Sequence, residues 1–145
     1  MYLVAGQLHV SLEPCQVRTL LGSGVAICLW DKRRSAGGMN HFLLPASREG
    51  QPKSLRYADE ATRALLAQTA AQGCRPPNLR AKIYGGAAVH TREPYASSLG
   101  ARNVEAALEL LRRAGIPVVA PETGGPHARK ILFHTDDGVA WAQRI

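Results

Sequence analysis

The residues whose types and spacing could do chemistry lie between positions 22 and 45. Gly22-Ser23-Gly24 precedes the apolar run Val25 to Trp30, and His41 sits inside Gly37-Gly38-Met39-Asn40-His41-Phe42-Leu43-Leu44-Pro45. Both apolar runs read as strands. A short basic turn over Lys32 to Ala36 joins them and carries His41 back opposite the start of the first strand. That geometry suits a nucleophile on the Gly-Ser turn with a general base facing it.

Outside this segment the chemistry-bearing residue types have plainer readings. His9 belongs to an alternating strand, and His90, His127 and His134 fall in loops or at strand ends without ligand spacing, so all four are read as surface or structural. His41 taken alone also fits a partly buried histidine satisfied by hydrogen bonds. Cys15, Cys28 and Cys74 give an odd count with no C-x-x-C spacing, which supports neither a disulfide framework nor a zinc site. Gly85-Gly86 and Gly124-Gly125 match neither phosphate-binding glycine pattern and are read as tight turns. No metal or cofactor is expected.

The elements that must position the segment follow from periodicity. Alternation over Tyr2 to Val10 predicts a strand ahead of the two already named. After a polar loop from Ala46 to Ser54, Ala58, Ala61, Leu65 and Gln68-Thr69 keep a helical period over about Tyr57 to Gln72, closed by Gly73 and Pro76-Pro77. A strand is expected over Leu79 to Tyr84. A second helix over 101 to 114 places Val104, Leu108 and Leu111 on one stripe, with Gly115 as its C-terminal cap. Short strands near Val118, at Lys130 to His134 and at Val139 to Gln143 close the chain, the last two joined by a turn at Asp136-Asp137-Gly138. Strands at both ends with two helices between them argue α+β over a regular βαβ series.

Composition narrows the function classes. At 145 residues and 46% hydrophobic content, the chain is expected to form one domain, residues 1 to 145, with a core of its own. No run approaches a membrane span and the N-terminus lacks a signal-peptide pattern, so a cytoplasmic protein without membrane insertion is expected. Eighteen Lys plus Arg against eleven Asp plus Glu give a formal charge of +7, which favours acidic partners. The basic residues are scattered, aromatics make up only 6%, and no nucleic-acid signature is present, so nucleic acid is not an expected partner.

The 22-to-45 segment resembles the active-site segment of the chemoreceptor glutamine deamidases, the CheD family. Arg56-Tyr57-Ala58-Asp59, Leu79-x-Ala81-Lys82-Ile83-Tyr84-Gly85-Gly86-Ala87, Leu99-Gly100-x-Arg102-Asn103-Val104, Gly115-Ile116-Pro117-Val118 and Gly124-Gly125-x-x-x-Arg129-Lys130 continue the likeness in order along nearly the whole chain. The resemblance implies a fold of layered mixed β-sheets flanked by helices, related to the cysteine-hydrolase deamidases. It implies hydrolysis of receptor glutamines to glutamates by a cysteine with His41 as general base, Thr19 as the residue that orients His41, and Gly22 and Ser23 as the oxyanion and substrate turn.

The position of the family's nucleophile is occupied here by Gly24. Cys28 lies four residues on, about 13 Å along a strand, and aligns with a buried residue of the family. Ser23 neighbours the position but points to the opposite face. Two function classes stay open: an amide hydrolase acting on the cytoplasmic domain of a chemoreceptor and impaired at Gly24, or a non-catalytic module docking chemoreceptors or a CheC-type phosphatase. Gly24 as a natural loss and Gly24 as a change at a natural cysteine stay open with them.

Overall fold

The computed structural model describes residues 1 to 89 and 92 to 145, so His90 lies outside the described residues. Its architecture is α+β in three layers: a four-stranded sheet, a five-stranded sheet, and two helices.

The central layer explains the composition of the 22-to-45 segment. Strand β4 (Val25–Asp31) runs antiparallel to β5 (Ala36–His41) on one side and to β6 (Leu79–Gly85) on the other. It is apolar on both faces because it is covered on both. Val25, Ile27 and Leu29 face the helices, and Ala26 and Cys28 face the other sheet. Strand β2 (Gln7–Ser11) adds beyond β5, and the two-residue β7 (Glu122–Thr123) pairs in parallel with β6, which makes the sheet mixed.

The outer sheet has the order β1 (Tyr2–Leu3), β3 (Gln16–Leu21), β8 (Arg129–His134), β9 (Ala140–Arg144), with β1 parallel to β3 and the rest antiparallel. Strand β3 alternates without exception: Val17, Thr19 and Leu21 are buried and Gln16, Arg18 and Leu20 are exposed. Leu3, Val17, Leu21, Ile131 and Phe133 pack against the central sheet.

Helix α1 (Ala58–Ala71) buries Ala58, Ala61, Thr62, Leu65 and Thr69, the period expected from the sequence. The buried Asn40 side chain ties it to the sheet, accepting from Ile27 N and donating to Ala61 O. Helix α2 (Leu99–Arg113) starts at Ser98, whose hydroxyl accepts from Ala101 N, and ends at Ala114 before Gly115 with φ +73°.

Three expectations need correction, and one strand has no counterpart among them. The run Tyr2 to Val10 is two strands in different sheets, divided by a turn at Ala5-Gly6 where Gly6 has φ +86°. Strand β3 is the one without a counterpart, although its alternation is complete. Near Val118 there is a single bridge to Ala81, and the strand of that region is β7, further along. On α2, Leu108 faces solvent, and the buried line runs Gly100, Asn103, Ala107, Leu111.

Candidate active site

The site forms where three backbone segments converge. Val25 and Phe42 exchange both backbone hydrogen bonds at 3.0 Å, which continues the β4–β5 pairing to the last residues before the glycine turn. The turn itself is held by its carbonyls: Gly86 N–H donates to Gly24 O at 2.9 Å and Ala87 N–H to Gly22 O at 3.0 Å. Gly85 and Gly86 have φ of +105° and +68°, and an added Cβ on Gly86 would meet Val104 and the Gly100 carbonyl, so this approach requires glycine. The N–H groups of Ser23 and Gly24 have no acceptor among the described residues.

His41, at the end of β5, is 6% exposed. Its Nδ1 lies 2.8 Å from Thr19 Oγ1, and that hydroxyl donates to Leu3 O at 2.9 Å. A hydroxyl has one hydrogen. With that hydrogen committed to the Leu3 carbonyl, Thr19 accepts from Nδ1–H, which fixes the tautomer and leaves Nε2 with its lone pair free. Burial pushes the pKa of His41 down to about 4, so the imidazole is neutral at physiological pH.

Nε2 points at position 24. A Cβ built on Gly24 would sit 2.9 Å from Nε2, 2.9 Å from Phe42 O and 3.2 Å from Leu43 Cδ2. Any side chain there would touch the His41 imidazole directly. Glycine keeps this point clear, and a larger residue is crowded from its first side-chain atom. Either the imidazole or the Phe42 carbonyl would have to shift, and that carbonyl is held in the Val25–Phe42 bridge.

The other candidates separate from this centre. Ser23 makes no hydrogen bond to His41 among the described residues and instead lines a neighbouring cavity. Cys28 is fully buried between the sheets, and burial pushes its thiol well above the ordinary range, so it offers no thiolate. Cys74 is also buried with a raised pKa, from burial first and the nearby Asp31 carboxylate second, and Cys15 is partly exposed; all three cysteines are free. Gly124-Gly125 is a tight turn, with φ of +81° and +72°, whose Gly124 carbonyl accepts from the buried Arg129 guanidinium. His134, read from the sequence as lacking ligand spacing, has Asp136 and Asp137 beside it in the β8–β9 turn, their donor atoms within 4.8 Å of one another.

Asn103 is a site residue that sequence reasoning passed over. It is fully buried on α2, and its Nδ2 donates to Ser23 O at 2.9 Å and to Leu43 O at 2.8 Å. It therefore ties the glycine turn to the segment just after His41. Its only signal in the sequence is a polar residue within Leu99-Gly100-x-Arg102-Asn103-Val104; the partners lie 80 and 60 residues away along the chain.

Two cavities open beside the turn. One, of about 400 Å³, is lined by Gly22, Ser23, Ala87, Ser98 and Gly100 among others. The second, of about 530 Å³, runs past Leu44, Ser47, Gln51 and Tyr57, and Leu99 and Arg102 line both.

The model of the family described as "CheD chemotactic sensory transduction" matches residues 43 to 144. A "Probable chemoreceptor glutamine deamidase CheD 1" of Anaeromyxobacter dehalogenans is 44% identical over 144 residues, covering 99% of this chain and 84% of that protein. The chain belongs to the CheD family. A further CheD, from Trichlorobacter lovleyi, is 42% identical over 95% of this chain and 86% of its own length, and one from Rhodospirillum rubrum is 43% identical over 94% and 77%. The CheD model begins just after His41, so position 24 and the Thr19–His41 pair fall in the stretch covered by the CheD relatives but not by the model. Among the described residues of this CheD-family chain, no helix is long and apolar enough to cross a membrane.

Proposed function

We propose that this chain carries the base and docking half of a chemoreceptor glutamine deamidase and, with glycine at position 24, holds receptor glutamines without hydrolysing them. The observation that supports this most strongly is the free lone pair of His41 Nε2, 2.9 Å from where the Cβ of residue 24 would lie.

The reaction that the site suits explains what glycine removes. A thiol at position 24 would pass its proton to Nε2, and the thiolate would add to the carboxamide carbon of glutamine. The oxyanion formed there is suited to the N–H groups of Ser23 and Gly24, which have no competing acceptor among the described residues. Nε2–H would then protonate the departing nitrogen as ammonia leaves, giving a thioester. The same nitrogen would take a proton from water as the thioester is cleaved to glutamate and free thiol. Thr19 would hold the ring throughout. Glycine deletes the covalent step, and losses of this kind cost several orders of magnitude in rate.

The acceptor proposed is the acidic helical cytoplasmic region of a chemoreceptor, which makes this a cytoplasmic protein. The two cavities joined at Leu99 and Arg102 offer a path beside the turn, and the charge of +7 favours such a partner. A CheC-type phosphatase is the competing occupant of the same face. Titration calorimetry with a receptor cytoplasmic fragment tests the reading. Binding should weaken as salt rises and fall when the target glutamines are replaced, with no ammonia released. Absence of association at low salt would count against it.

A further inference from the structure

The helices cover one face of the central sheet and the four-stranded sheet covers the other, which among the described residues leaves the outward face of the four-stranded sheet uncovered. The strand register places Tyr2, Arg18, Leu132 and Trp141 in one row across it, and Leu20, Lys130 and Gln143 in the next. Tyr2 is 55% exposed, Leu20 45% and Trp141 56%. Together these residues line a groove of about 310 Å³. Large exposed apolar groups gathered on one face mark an interaction surface more than the same groups scattered singly.

The charges of the groove narrow what it would take. Arg18 and Lys130 lie in it, and none of its lining residues is acidic. A second copy presenting the same face would set Arg18 and Lys130 against their own counterparts, which disfavours self-association. A flat lipid surface would leave the concavity unfilled. An amphipathic helix fits both features, with an apolar stripe against Tyr2, Leu20, Leu132 and Trp141 and carboxylates beside Arg18 and Lys130.

We propose that this groove is a second docking surface, separate from the glycine turn, for an amphipathic helix whose apolar stripe is flanked by carboxylates. Thr19 also lines the groove, although its buried hydroxyl is turned to His41; position 24 and His41 do not, and binding read at Trp141 does not depend on the deamidase reading. The groove's apolar and charged side chains point away from the core, so substitutions at Leu20 and Lys130 leave the packed interior intact.

Trp141 supplies the readout. The probe is a synthetic helical peptide with a leucine stripe flanked by glutamates, titrated into the full chain at low salt while tryptophan emission is followed. A blue shift is expected that disappears in Trp141→Phe, weakens as salt is added, is lost in Leu20→Glu, and shows a Kd raised on the order of tenfold in Lys130→Glu. The same peptide with lysines for glutamates should give no shift. The proposal is overturned by an absent shift with the glutamate peptide or an equal shift with the lysine peptide. It is also overturned if phosphatidylglycerol vesicles shift the emission where the peptide does not, which assigns the face to lipid. Dimerisation of the chain alone, abolished by Leu20→Glu, would overturn it in favour of a second copy.

Discussion

The chemistry proposed for this site turns on which nitrogen of His41 carries a proton, and a single hydroxyl sets that tautomer. Thr19 gives its hydrogen to Leu3 O and so receives Nδ1–H, and Nε2 is left free beside position 24. Thr19→Val removes the acceptor while keeping the shape, leaving a buried N–H without a partner. The expected loss is roughly 1 to 3 kcal/mol in urea unfolding, with Thr19→Ser recovering most of it. The depressed pKa of His41 has a consequence of definite sign. Between its folded value of about 4 and the ordinary 6.5, the unfolded chain binds a proton that the folded chain does not. Stability is therefore undiminished by this group above pH 6.5 and falls as the pH drops toward the folded value, by roughly 3 kcal/mol in all. His41→Gln should flatten that part of the pH–stability curve, and an unchanged slope would show that His41 titrates normally.

The pairing of His41 with the glycine turn was legible, because both lie on adjacent strands joined by a short turn. Thr19 was legible only through the family likeness. The strand that delivers it, Gln16–Leu21, carries a polar residue at an inward position of a strict alternation, and that was the available signal. Asn103 was not legible as a site residue, since its worth lies in two carbonyls distant in sequence.

At the scale of elements, the roll of α2 shows where periodicity misleads. Val104, Leu108 and Leu111 form the more apolar stripe, yet the helix turns Leu108 outward to 42% exposure. Gly100 must lie against the carbonyls of Gly86 and Ala87, and Asn103 must reach Ser23 and Leu43, so close approach and hydrogen bonding at the N-terminal end set the rotation. Leu111→Ala should therefore cost about 2 to 5 kcal/mol in chemical denaturation. Leu108→Ala should stay within about 0.5 kcal/mol. The reverse ranking would mean that the sequence-based stripe is the buried one. The split of Tyr2 to Val10 has a similar origin. Hydrophobic alternation reports which face is buried but not which sheet a strand joins, and Gly6 alone marked the crossing.

For the molecule as a whole, the three layers fix the site by burying its supports. The outer sheet contributes Thr19 and Leu3, the central sheet His41 and the glycine turn, and the helical layer Asn103. Two core regions hold these supports, one between the sheets and one between the central sheet and the helices, which is why the α+β class could be inferred from element order while the convergence of the three layers on one point could not. The charge of +7 belongs to this scale too. It biases the whole surface toward acidic partners, and the uncovered outer face carries part of it in Arg18 and Lys130.

Restoring a thiol at position 24 tests the central claim most directly. Gly24→Cys, with Gly24→Ala as the control for the crowding of a Cβ against His41 Nε2 and Phe42 O, would be incubated with a receptor cytoplasmic fragment, and glutamine-to-glutamate conversion read by mass spectrometry. The Cys variant should convert receptor glutamines and lose that activity on His41→Ala, while the Ala variant and the unaltered chain stay silent. Conversion by the unaltered chain at the rate of the Cys variant, or a folded Cys variant with no activity, would contradict the account.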